Sequence, residues 1–194
     1  MQLFRSCFVR SCLYSPRGFT LIELLITLVI VGLLAALALP RFSDVSDEAE
    51  LAQVQGVAAA LQSGVKLART VFASQGHGSR VQNLAGFGEG NVDTNNLGYP
   101  IGIDKGNGNE NIGRGPRGCA GVWSGVLSAA PSVAHNTSVL DYQAYRHTGN
   151  RVCSYVYRAG GDSGNRNTAQ LVIQYDSRDG SVRVCGQHPR LAAC

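Results

Sequence analysis

The stretch Gly18-Phe-Thr-Leu-Ile-Glu23, continued by Leu-Leu-Ile-Thr-Leu-Val-Ile-Val-Gly-Leu-Leu-Ala-Ala-Leu-Ala-Leu-Pro40, decides the fold of this chain. Between positions 19 and 39 only two threonines and Glu23 are polar. At about 1.5 Å per residue, a helix of this length measures roughly 30 Å, which is enough to cross the hydrocarbon core of a bilayer. A carboxylate inside such a helix is costly without a partner, so Glu23 is the first candidate functional residue.

Basic residues are concentrated ahead of this stretch. Arg5, Arg10 and Arg17 precede Gly18 without an acidic neighbour, and the remaining 14 basic residues (17 minus these 3) face 13 acidic ones. This near-neutral balance argues against a nucleic-acid-binding domain, which would show a basic patch. The 24 glycines predict a loop-rich downstream domain rather than a helical bundle.

The order of the leader and the apolar run is unusual. An ordinary secretory signal ends its apolar run at a small-x-small cleavage site, and residues 35–38 would imitate one. Here the plausible processing point, Gly18, comes before the apolar run instead. Gly18-Phe-Thr-Leu-Ile-Glu23 followed by an apolar helix resembles the N-terminal signature of type IV pilins and their pseudopilin relatives. The resemblance covers residues 17–45.

This resemblance implies a processing step and an assembly step. A prepilin peptidase would remove the leader, residues 1–18, by cleaving after Gly18 on the cytoplasmic side. Phe19 would become the N-methylated mature N-terminus, and Glu23 the carboxylate needed for assembly. Residues 19–40 would form a single transmembrane helix in the bacterial inner membrane and afterwards the core of a filament outside it.

Electrostatics supports this role for Glu23. A free or methylated amine on Phe19 is cationic at neutral pH, and a spacing of four residues can bring it to the Glu23 face of a helix. Each charge is costly alone in an apolar core and tolerable when paired. A staggered stack of subunits would pair one Glu23 with the neighbouring Phe19 amine and fix the register. The alternative is a plain membrane anchor whose Glu23 snorkels or is protonated.

Gly32 and Pro40 are the two candidate packing positions in the helix. A glycine lets a neighbouring helix approach closely, and a proline removes a backbone donor and tends to kink a helix. Both suit a curved helix that packs beside copies of itself. The alternatives are a glycine that a membrane helix merely tolerates and a helix that ends at Pro40.

The sequence of residues 41–76 predicts a second, amphipathic half of the helix. Apolar residues recur at spacings of three and four, and Gln75-Gly76 is a helix stop signal. We expect this face to lie on a sheet of the same chain; a coiled coil is the less favoured alternative. The predicted apolar stripe comprises Leu51, Val54, Ala58, Leu61, Val65, Ala68 and Phe72.

The sequence of residues 77–194 predicts a globular head, which together with the helix gives an α+β fold; the resemblance implies that this is the pilin fold. Regular patterning fades over residues 77–118, so we expect a long surface loop there. Helical spacing predicts a short helix over 119–130, ahead of Pro131. Alternation and an Asp-Gly turn predict an antiparallel sheet of about four strands. These strands are 142–145, 152–157, 170–175 and 181–185.

The six cysteines divide between the leader (Cys7 and Cys12) and the head. Four cysteines after a membrane segment indicate two disulfides made outside the cytoplasm, with three possible connectivities. Cys119–Cys153 would tie the short helix to a strand, and Cys185–Cys194 would hold the tail. The second pair resembles the disulfide-bounded C-terminal loop of many pilins. Cys153–Cys185 is the alternative.

No catalytic constellation emerges, so we expect neither an enzyme nor a cofactor. The four histidines are scattered, and Ser63 and Lys66 lack the companion motifs of a Ser-x-x-Lys enzyme. Residues 104–110 carry oxygen ligands that would suit calcium but do not fit the EF-hand spacing, so no metal site is predicted. Trp123 is expected in the core, with sugar stacking as the alternative.

The finer resemblance is to the mannose-sensitive haemagglutinin (MSHA) type of pilin. It is carried by Pro40-Arg-Phe, Gly98-Tyr-Pro, the helix beginning at Cys119, Cys153-Ser-Tyr-Val-Tyr and Tyr175-Asp. It implies a pilus subunit for adhesion or motility, whose partners are other pilin subunits, the prepilin peptidase and an assembly platform. The alternatives are a type II secretion pseudopilin, a minor tip pilin, or a monomeric membrane-anchored binding domain.

Overall fold

A computed structural model describes residues 18–106 and 108–194, and of the side chains at 39–44 nothing is stated. The chain divides into two compact units, with the boundary between Ser46 and Asp47. The predicted leader, apart from Gly18, lies outside the described residues.

The first helix, α1, begins at Leu21, ends at Ser74 and contributes to both units. It continues through Pro40 without a break, so the alternative that the helix ends there is wrong. A proline removes only one backbone donor, and the residues on both sides maintain the helix around it. The predicted kink at Pro40 stays a prediction. At the other end Gly76 has a positive φ of 73°, and His77 N–H donates to the Phe72 carbonyl at 3.3 Å. This is a C-terminal cap of the kind that the Gln-Gly signal predicts.

The amphipathic stripe within the second unit is confirmed. All seven predicted residues are buried, with Val54, Leu61, Val65 and Ala68 fully so. They belong to one core cluster with strand residues such as Tyr155. Because the chain's own sheet covers this face, the coiled-coil alternative is not needed.

The main sheet has five strands in the order β3-β4-β5-β6-β7. The first, β3, pairs parallel with β4, and the other neighbours pair antiparallel. The expectation of about four antiparallel strands is therefore confirmed, with a two-residue parallel strand added at one edge. The strands are β3 (Val133–Ala134), β4 (Tyr142–Arg146), β5 (Val152–Tyr157), β6 (Val172–Asp176) and β7 (Ser181–Cys185).

The expectation of a loop without strands over residues 77–118 was wrong. This segment contains β1 (Val92–Thr94) and β2 (Pro100–Ile103), which form an antiparallel pair, and a 3-10 turn at Gly115–Arg117. Long-range hydrogen bonds stabilise it: Asn95 Nδ2 donates to the Ser177 carbonyl at 2.5 Å, and the Tyr175 hydroxyl donates to the Pro100 carbonyl at 2.8 Å.

The second helix, α2 (Cys119–Val126), is shorter than predicted, because it ends at Val126 rather than near residue 130. Leu127 is already extended (φ −95°, ψ 123°), and the chain turns back so that Trp123 Nε1 donates to the Pro131 carbonyl at 2.9 Å. Trp123 is fully buried, with its ring 4.6 Å from the Tyr142 ring between centroids. It is therefore a core residue, and the sugar-stacking alternative is wrong.

Two disulfides cross-link the head. Cys119–Cys153 joins α2 to β5, and Cys185–Cys194 joins the end of β7 to the C-terminal segment. The Cys153–Cys185 alternative is not formed. In the chain-entropy model, closing the larger loop, with a sequence separation of 34, is worth roughly 4 kcal/mol.

Candidate functional site

The start of α1 is capped by Thr20. Its Oγ1 accepts the backbone N–H of Glu23 at 3.3 Å, and its carbonyl accepts the N–H of Leu24 at 3.2 Å. These are the bonds of an N-cap residue, which satisfies donors that a helix start leaves unpaired. Thr20 and Glu23 also have the Thr-x-x-Glu spacing of a capping box. This role of Thr20 was not predicted from the sequence, although the Thr-x-x-Glu spacing is a known signal for it.

The predicted processing point lies immediately before this cap. Residues 18–20 are outside α1 and exposed, and the Phe19 side chain is 79% exposed. Apart from its chain neighbours, no atom of the described residues comes within 4 Å of where a Cβ on Gly18 would lie. Among the described residues, Gly18 and Phe19 are therefore exposed and lie outside the helix.

Glu23 lies in the first turn of α1, and its side chain is exposed. The partial positive charge of a helix N-terminus favours a carboxylate at this position. Phe19, in contrast, precedes the cap, so the helix itself does not fix its amine on the Glu23 face. Among the described residues, no hydrogen bond to the Glu23 carboxylate is present, so this group is available to a partner outside the subunit.

The helix surface that follows is apolar throughout. Leu21–Ala38 has a mean hydropathy of 2.7 with no part of it buried, and among the described residues it alone is long and apolar enough to cross a membrane. Thr27 Oγ1 donates to the Leu24 carbonyl at 2.8 Å, which satisfies its hydroxyl within the helix. Around the Cβ position of Gly32 the structure is open. Lipid or other apolar helices are the environments that match this surface.

Two polar groups of the second unit that the sequence analysis considered, Glu110 and Ser63, make structural contacts. Glu110 accepts the Asn96 N–H at 2.9 Å and pairs with Arg151 at 3.3 Å. Ser63 Oγ donates back to the Ala59 carbonyl at 2.9 Å, within α1. Within residues 18–106 and 108–194, no three His, Cys, Asp or Glu side chains lie close enough together to hold a metal ion.

The comparisons with known proteins agree with this geometry. Residues 15–39 match the family model described as the prokaryotic N-terminal methylation motif. The chain is 52% identical over 52 residues to the type IV narrow pilus major component PilA5 of Thermus thermophilus, which covers 27% of this chain and 45% of that protein. It is 44% identical over 54 residues to the type IV major alpha-pilin of Moraxella bovis, covering 28% of this chain and 34% of the relative.

A third relative is the type IV major pilin protein PilE1 of Neisseria gonorrhoeae, 40% identical over 72 residues, or 37% of this chain and 41% of that protein. The chain thus spans less than half the length of each of these relatives. No solved structure matches the chain significantly. The capped apolar helix coincides with the matched methylation motif. The N-terminal part of the chain is therefore similar to that of type IV pilins.

Proposed function

We propose that this chain is a structural subunit of a bacterial type IV pilus, of the MSHA-like type. The observation that carries the proposal is the arrangement at the start of α1. An exposed Gly18–Phe19 bond precedes a Thr20-capped helix whose first turn holds Glu23 and whose following surface is apolar and exposed.

Processing is the first step of the proposed function. A prepilin peptidase cleaves after Gly18 while residues 21–38 lie in the inner membrane, and the new Phe19 amine is then N-methylated. Thr20 keeps the helix from extending back across the scissile bond. The leader charges Arg5, Arg10 and Arg17 stay on the cytoplasmic side, as expected from the preference for basic residues there.

Assembly is the second step. An assembly platform moves the subunit from the membrane into a filament, where the apolar surface of one α1 packs against the α1 of other subunits. The Glu23 carboxylate of one subunit meets the Phe19 amine of its neighbour. A charge buried without a partner costs several kcal/mol, so only the register that pairs the two charges is stable. The finished filament extends from the cell and serves adhesion or motility.

Two measurements test this proposal. Mass spectrometry of the cellular protein should find Phe19, carrying one methyl group, at the N-terminus; a protein that keeps residues 1–18 would refute the proposal.

The Glu23→Gln substitution should leave the amount of this protein in the membrane unchanged and lower the amount of sheared filament at least tenfold. Thr27→Ala is the matched control, because it removes another polar group from the same helix, and it should assemble normally. Equal assembly of both variants would contradict the pairing argument.

A further inference from the structure

A small cavity lies beside β4 in the second unit. It has a volume of about 160 Å³ and is lined by Gly113, Gly115, His135 and the β4 residues Ala144, Tyr145 and Arg146. His135 stands over Gly115, with its Nε2 3.6 Å from where a Cβ on that glycine would lie. Cavities of this size accommodate one small chemical group rather than a polymer.

The walls of the cavity are held in place from several sides. The Gly113 N–H donates to the Ile101 carbonyl at 2.9 Å, and the Ile112 N–H donates to the Asn150 carbonyl at 2.8 Å. The Cys119–Cys153 disulfide joins the end of this loop to β5. A Cβ on Gly113 would lie 2.8 Å from the Arg117 carbonyl oxygen, so the loop can close in this way only with glycine there. The cavity is thus formed before any ligand arrives.

Arg146 lines the cavity, and Arg114 and Arg166 lie near Arg146. The ion pairs of the described chain involve Arg151, Arg178 and Arg190. Arg146 instead donates through Nη1 to the Ile112 carbonyl at 2.8 Å, and Arg166 approaches the Arg146 carbonyl at 3.4 Å.

The charge of Arg146 is also not neutralised electrostatically. Its pKa is lowered by burial and then by the positive charge of Arg114. A half-buried guanidinium with like charges nearby and no carboxylate is a site where an anion would be stabilised, because guanidinium binds planar and tetrahedral oxyanions through paired N–H groups.

We propose that this cavity binds a single oxyanionic group (carboxylate, sulfate or phosphate) of a small molecule or sugar. Arg146 supplies the charge-assisted hydrogen bonds at the wall, His135 supplies a ring nitrogen at the mouth, and Arg114 adds long-range attraction. The glycine loop lets the ligand approach the backbone closely.

Titration of the full chain in detergent micelles tests this site by NMR, with ¹⁵N-glycine reporting at Gly113 and Gly115. Sodium sulfate, phosphate, glucuronate and glucose are added at constant ionic strength. We expect saturable shifts with the anions and none with glucose. Saturable shifts with sulfate but not with glucuronate would identify the ligand as a free inorganic anion. Saturable shifts with both would identify an anionic group that acidic sugars also carry. Equal shifts with glucose, or shifts that do not saturate, would overturn the proposal.

Variants locate the binding group. Arg146→Gln should weaken glucuronate or sulfate binding about tenfold, since a charge-assisted contact is lost. Arg178→Gln, an exposed arginine on the β6–β7 turn, is the matched control and should bind as the parent does. Arg114→Gln leaves the cavity wall intact and should weaken binding about twofold to threefold. Unchanged binding in both Arg146→Gln and Arg114→Gln would exclude this cavity as the site.

Discussion

Gln62 on α1 holds the turn between β6 and β7 through Gly180. The Gln62 side-chain amide donates to the Gly180 carbonyl at 2.9 Å, and its carbonyl oxygen accepts the Val182 N–H at 2.9 Å. One side chain therefore satisfies both a donor and an acceptor of the hairpin. These two hydrogen bonds hold the edge strand β7 on the helix, in addition to the packing of the apolar stripe.

The first prediction concerns this contact. Gln62→Ala should lower the free energy of unfolding by about 2 kcal/mol, because two half-buried backbone groups lose their partner. Fluorescence of Trp123, the single tryptophan, reports unfolding of the full chain in detergent by denaturant. Gln55→Ala, at an exposed position of the same helix, is the control and should change stability by less than about 0.5 kcal/mol. Equal effects of the two substitutions would contradict this role of Gln62.

Gly180 itself gives the second prediction. Its φ is +72°, and a Cβ there would overlap the Tyr99 ring. Gly180→Ala should therefore destabilise the head by about 3 kcal/mol, combining backbone strain with overpacking. Gly149→Ala is the control, because that glycine has φ +92° and no atom within 4 Å of its Cβ position. It should cost only about 1 kcal/mol, the strain alone. A Gly180 variant no worse than the Gly149 variant would show that Tyr99 moves aside freely.

The disulfides give the third prediction. Replacing both Cys119 and Cys153 by serine should destabilise the head by about 4 kcal/mol in the chain-entropy model, because the loop has a sequence separation of 34. Replacing Cys185 and Cys194 should cost about 3 kcal/mol, because that separation is only 9. Denaturant unfolding of the two double variants measures the order of these effects. The reverse order would mean that native contacts around the C-terminal pair outweigh loop length.

His147 gives the fourth prediction, on pH. Burial, followed by the positive charges of Arg166 and Arg183, lowers the pKa of His147, and its Nε2 lies 2.7 Å from Ser154 Oγ. Between the lowered folded pKa and about pH 6.5, residue 147 therefore binds more protons in the unfolded chain than in the folded chain. Stability should fall as the pH decreases from this value toward the lower folded pKa.

Unfolding of the His147→Gln variant at several pH values checks this sign. Glutamine retains a hydrogen-bonding group for Ser154 but does not titrate, so the slope of stability between pH 6.5 and the onset of carboxylate protonation should flatten. His77→Gln, at an exposed histidine, is the control and should retain the slope. If His147→Gln keeps the parent slope, another group is responsible for it.

Periodicity made much of the fold predictable. The α1 stripe and β5 were expected at the positions where they occur, since each presents a regular apolar face to the core. β1 and β2 were not expected, because they are short strands, and β2 is stabilised by a distant partner, Tyr175. The end of α2 depends similarly on the bond from Trp123 to Pro131. At the candidate site, the sequence indicated Gly18 and Glu23 through their residue types and their order in the chain. The sequence did not show whether the helix starts before or after Phe19, because that depends on the Thr20 cap.

That cap gives the fifth prediction. Thr20→Ala removes the oxygen that accepts the Glu23 N–H, at a cost of about 1 kcal/mol to the first turn of α1. Hydrogen exchange of the Glu23 and Leu24 amides, measured on the uncleaved chain in micelles, should accelerate about fivefold, since 1.4 kcal/mol corresponds to a factor of ten. Thr20→Ser keeps the accepting oxygen and should exchange like the parent. A first turn equally protected in the alanine variant would mean that the membrane or detergent, not Thr20, defines where the helix begins. The position of Glu23 in the first helical turn would then depend on lipid or detergent contact rather than on Thr20.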